Sequence, residues 1–116
     1  MVREFTVEWQ RYAAFEDGNH IRGEFRVTYD GAEASISAFM YPRTITAFAA
    51  VRGIDNDAVA GQIQLGARVL AEWGKRKIEA ALKAGAQPPN TLRLEATQIE
   101  AQMILRDLGD SIDRAP

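Results

Sequence analysis

The chain's only imidazole is His20, which closes the stretch Glu16-Asp17-Gly18-Asn19-His20, where two carboxylates stand close enough in sequence to offer oxygen ligands beside a ring nitrogen. A transition-metal site needs more nitrogen or sulfur donors than one histidine supplies, and the chain has no cysteine. A nucleophilic triad lacks parts too, because no spacing puts a serine and a supporting carboxylate beside His20. The stretch reads more simply as a turn with a surface histidine at its edge. Asp55-Asn56-Asp57 opens like a calcium loop, but Val59 and Ala60 stand where an oxygen ligand and a glycine are required, and no glutamate closes it. Those acids suit a helix N-terminus, where the backbone dipole favours negative charge. Gly74-Lys75 carries two residues of a phosphate loop without the rest: Arg76 follows the lysine and Val69 occupies the first glycine position. The chain therefore reads as non-enzymatic, with no catalytic residue, metal or cofactor expected.

Two groupings remain that could bind something. Lys75, Arg76, Lys77 and Lys83 are the one basic concentration, of a kind that can touch successive phosphates. Glu72 and Glu79 precede Arg76 and Lys83 by four residues, the favourable order for helix ion pairs, so a solvated helix face explains the same residues. The second grouping is apolar. If residues 91–108 form a helix, Leu92, Ala96, Ile99 and Met103 make one stripe, while Leu94, Ala101, Ile104, Leu105 and Leu108 make another on nearly the opposite side. One domain core needs only one stripe, so the second is expected to meet another chain or to be sandwiched within its own domain.

The elements that would position these groups follow from periodicity. Phe5-Val7-Trp9 and Ile21-Gly23-Phe25-Val27-Tyr29 put apolar residues on odd positions, and Ala32-Ala34-Ile36-Ala38-Met40 on even ones. Asp30-Gly31 predicts a two-residue type I′ turn that pairs Tyr29 with Ala32 and Ile21 with Met40, every apolar pair on one face. A three-residue loop over Glu16-Asp17-Gly18 with a bulge at Gly18 pairs Phe15 with Asn19, Arg11 with Gly23, Trp9 with Phe25 and Phe5 with Tyr29. Phe39 and Tyr41 project to the side opposite Met40. Pro42 starts a short helix ending before Gly53, and Asp55 or Asn56 caps a long one whose stripe runs from Val59 through Ile63, Ala67, Leu70, Trp73 and Ile78 to Leu82, ending at Gly85. Gly61, Gly66 or Gly74 should mark a bend or a close contact within it. Gln87-Pro88-Pro89-Asn90 breaks the chain. Beyond it, a helix capped by Asn90 or Thr91 and ended by Gly109 competes with a fourth strand over residues 91–100.

The whole is one α+β domain spanning residues 1–116: a three-stranded antiparallel meander (2–41), a helical part (42–109) and a short acidic tail (110–116). Its 116 residues are 47% hydrophobic and 26% charged, an ordinary globular balance at a net charge of −2. Residues 1–58 hold 6 basic and 9 acidic groups and residues 59–116 hold 8 and 7, so neither half has the positive excess of a typical nucleic-acid binder. The start of the chain lacks the apolar segment of a signal peptide, no apolar run reaches membrane-spanning length, and a cytoplasmic address is expected. The function expected is a small interaction or assembly protein that associates with itself, or inhibits or regulates a protein partner, through its C-terminal helices. A nucleic-acid-associated regulator and a small-ligand-binding domain are the alternatives.

Overall fold

A computed structural model describes residues 4–15 and 20–112, with the side chains of Phe15 and Asp110 left aside. Alternating apolar residues produce three strands, β1 (Phe5–Phe15), β2 (His20–Tyr29) and β3 (Ala32–Met40), and helical periodicity takes over at Pro42. Two helices follow, α1 (Pro42–Val51) and α2 (Val59–Lys83), then a short strand β4 (Thr91–Arg93), a third helix α3 (Gln98–Leu108) and a single 3-10 turn, Gly109–Ser111. The architecture is α+β: a four-stranded sheet in the order β1-β2-β3-β4, antiparallel except that β4 runs parallel to β3. All three helices lie toward one face, because the residues that alternate inward on β2 and β3 (Ile21, Phe25, Val27, Ile36, Ala38, Met40) share one core with Ile45, Phe48, Leu70, Ile78, Leu82, Leu94 and Leu105. Among the described residues, no helix is long and apolar enough to cross a membrane.

The second hairpin forms in the register the sequence implies, from Tyr29 opposite Ala32 to Ile21 opposite Met40. Asp30 and Gly31 both take positive φ at the turn, 50° and 77°, the conformation that type I′ requires. The first hairpin departs from expectation. Trp9 does face Phe25 and Phe5 faces Tyr29, but the extra residue sits inside β1, at Gln10, so that Arg11 opposes Glu24 and Tyr12 opposes Gly23. The strands close on Phe15 opposite His20 rather than Asn19, and residues 16–19, which include the expected bulge, lie outside the described ones. Charge decides the placement: a loop bulge would leave Arg11 across from buried Gly23 on the core side, whereas the strand bulge turns it out to Glu24, 2.9 Å from Nε to Oε2.

Helix α2 begins later than its acids suggest. Its N-cap is Ala58, with no side-chain cap. Asp55 instead uses its carbonyl, which accepts from the Ala58 N–H and the Gln62 side chain. Val59, expected in the core stripe, is 58% exposed. Gly66 and Gly74, two turns apart, are the close contacts. A Cβ at Gly66 would lie 2.6 Å from Ile21 Cδ1, and one at Gly74 would lie 2.9 Å from the Phe25 ring. These two bare positions let the helix settle directly on β2.

Residues 91–108 follow neither sequence reading in full. Thr91–Arg93 adds to the sheet, held by the Ser37 N–H to the Asn90 carbonyl at 3.1 Å and the Leu94 N–H to the Phe39 carbonyl at 2.9 Å. The helix starts only at Gln98, and its cap is Thr97 rather than Asn90 or Thr91: the Thr97 hydroxyl accepts from the Glu100 N–H, and the Glu100 carboxylate accepts from the Thr97 N–H. Gly109 ends it, as expected, at a φ of 54°.

Candidate interaction surface

The apolar stripe expected to meet a partner is covered by its own chain. Leu94, Ala101, Leu105 and Leu108 are buried in the core and Ile104 is half-buried. Starting α3 at Gln98 instead of Thr91 breaks the long two-sided helix, and α1 packs over the flank that carries these residues. What α3 leaves in water belongs to the opposite stripe: Ile99 is 75% exposed and Met103 59%.

The basic grouping is dispersed. Lys75, Arg76, Lys77 and Lys83 are all exposed, but they do separate things. Arg76 donates to the Asp107 carbonyl at 3.1 Å, tying α2 to the end of α3, instead of pairing with Glu72. Lys77 lies over the Trp73 ring at 5.4 Å, Lys75 borders a groove beside β1, and Lys83 sits in the last turn of α2, where a cation complements the helix dipole.

Two surfaces not anticipated from the sequence stand out. The first is the sheet face away from the helices. His20, the first residue of β2, gathers with Phe39 and Tyr41 there, the His20 and Tyr41 rings 5.4 Å apart and Phe39 stacked on Tyr41 at 6.2 Å. Arg22 covers Phe39 and Arg93 covers Tyr41, at 5.9 and 5.2 Å. Such rings could stack on bases. Three of the four arginines on this face are nevertheless engaged by carboxylates, because Arg11 and Arg22 both engage Glu24, Arg26 engages Glu33 at 3.4 Å, and Glu8 faces Arg26. A phosphate backbone needs unpaired cations. Beside Arg93, an open groove of about 1010 Å³ between α1 and the start of α3 balances Arg43 and Arg93 against Glu95 and Glu100.

The second surface is the outer edge of β1. Among the described residues this eleven-residue strand has a neighbour on one side only, so alternate backbone N–H and C=O groups along it face outward with no ladder partner among those residues. Beneath the edge runs an open groove of about 890 Å³ lined by Val7, Trp9, Tyr12, Ala67, Ala71 and Lys75, among others. Trp9 is half-buried, its ring edge-on to Phe25 at 5.0 Å and lying over Gly23, where a Cβ would collide with it. Tyr12 remains 45% exposed. The bulge is what carries Tyr12 to this side: without it, alternation would place Arg11 here. Periodicity had marked Trp9 as core, but the signal for Tyr12, a change of phase within one strand, depends on locating the bulge.

Among the described residues, no cluster of three or more His, Asp and Glu side chains could hold a metal ion. No protein-family model, curated protein or solved structure matches this chain.

Proposed function

We propose that this chain is a non-enzymatic assembly protein that associates with itself along the edge of β1, which has no strand partner on its outer side among the described residues. The observation that carries this reading is the edge itself: a long strand whose outer backbone has no ladder partner among the described residues, bordered by a groove in which Tyr12 and part of Trp9 meet water. An added strand would satisfy the outward backbone groups and cover both rings at once, combining main-chain hydrogen bonding with apolar burial. The C-terminal helices, in this reading, build the core against which the sheet is held rather than the contact surface.

Light scattering on the native chain and on Tyr12→Asp tests it. The native chain should show at least twice the mass of one chain at micromolar concentration, and the variant should remain folded by circular dichroism at the mass of a single chain. A native chain that stays monomeric into the millimolar range overturns the reading, as does a variant that assembles unchanged.

A further inference from the structure

We infer that two copies of this chain join β1 to β1 antiparallel about a two-fold axis between Trp9 and Gln10, so that the two sheets become one. This rests on the edge-assembly reading above and names its symmetry and register. The bulge at Gln10 is the starting point. Before it, odd residues share the core side with Val27 and Phe25. After it, even residues do, since Tyr12 faces Gly23 and Ala14 faces Ile21. Directly opposed residues on neighbouring strands point to the same side. A two-fold pairing of β1 with itself that uses the strand on both sides of the bulge therefore has to join an odd residue to an even one.

Centring the axis between Trp9 and Gln10 does this along the strand. Val7 meets Tyr12 of the second copy and Phe5 meets Ala14, all on the core side, while Thr6 meets Ala13 and Glu8 meets Arg11 on the open side. The charges then form a row across four strands: Arg26 and Glu8 of one copy, Arg11 and Glu24 of the other. Glu8 already faces Arg26, and Arg11 already bonds Glu24, so the new pair completes an alternation of sign. The row occurs twice by symmetry. Centring the axis on Glu8 or on Arg11 instead sets like charges directly opposite, which is destabilising. Tyr12 of each copy, the exposed ring at the edge, comes to lie beside Val7 and the groove of the other.

The chain has no cysteine, so introduced thiols report the register without interference. Thr6→Cys and Ala13→Cys chains, both altered at exposed positions, are mixed and oxidised. Opposed residues lie about 5 Å apart between Cβ atoms, within reach of a disulfide after slight adjustment. Two Thr6 positions would be about 23 Å apart, seven residues along the strand. The expected result is a disulfide between the two variants, about tenfold more abundant than either self-linked product, given that gap in distance. Self-linked Thr6→Cys or Ala13→Cys as the main product overturns the register while leaving edge assembly standing. A monomeric mass, or a dimer in which none of these cysteines links, overturns both.

Discussion

The two edges of the sheet solve the same problem in opposite ways. At the β4 edge the strand is three residues long, and the chain then turns away through Leu94, which is 1% exposed, into α3. β4 pairs only with Ser37–Phe39, so outward backbone remains on β4 itself and on the first five residues of β3. At the β1 edge the strand is eleven residues long, and an exposed aromatic lies where a covering element would sit. Short edges, bulges and charged residues all discourage strand addition. β1 has a bulge and charges as well, but its bulge brings Tyr12 to the groove, and its charges are of both signs in an order that a second copy can match. One edge is partly closed by a short strand, and the other carries the length, the exposed ring and the mixed charges on which the proposed strand addition rests.

The same substitution at the two edges should separate them most sharply. Leu94→Asp puts a carboxylate into the core between the sheet, α2 and α3, removing apolar contacts and burying an unpaired charge. A loss of about 4 kcal/mol or more is expected, a large share of the stability of a small domain. Tyr12→Asp changes an edge residue that is half in water and should cost one folded chain no more than about 0.5 kcal/mol. Urea unfolding at a concentration where both are monomeric measures the difference. Equal losses would mean that the β1 edge is as much a part of the core as β4.

A smaller effect is expected where α3 begins. Thr97→Ala removes the hydroxyl that accepts from the Glu100 N–H, at a cost of about 1 kcal/mol. The carboxyl of Glu100 is held below its ordinary range, first by the Thr97 backbone N–H and then by the Thr97 side chain. A carboxylate whose folded value is depressed contributes stability that is present above the ordinary carboxylate range and is lost as pH falls through the folded value. The gap between native and Thr97→Ala in thermal unfolding should therefore narrow as the solution is acidified below that range. A gap independent of pH would mean that the reciprocal pair does not act as a unit.

These elements show what sequence could and could not convey. The β2–β3 hairpin was legible because turn chemistry at Asp30-Gly31 and the alternation on both strands demand the same register. The β1–β2 pairing was legible only as far as Trp9, since one extra residue can be absorbed in the loop or in the strand, and only the cost of turning Arg11 toward buried Gly23 separates the two. In the last segment, Thr97 and Glu100 stand in capping-box spacing and mark the true helix start. Neither one helix over residues 91–108 nor a strand over 91–100 accommodates that start. The surface was the least legible part. Helical periodicity identified Leu94, Ala101, Ile104, Leu105 and Leu108 as an apolar set, but periodicity does not say which neighbour covers a stripe, and α1 does so here.

The smallest effect is expected where the remaining apolar surface is most obvious. Ile99 and Met103 sit four residues apart on α3, so their side chains adjoin on the helix face, and both are more than half in water. Two such side chains fall short of the several hundred Å² that marks an interaction patch on a monomer. The groove beside the start of α3 is lined by Gln98 and Glu100 but by neither of these two. Replacing both with serine should change stability by no more than about 0.5 kcal/mol and leave the mass in solution as it was. If light scattering instead shows the doubly substituted chain falling to a single copy while Tyr12→Asp still assembles, the contact surface lies on α3, and the unpaired edge of β1 is kept apart by its bulge and charges alone.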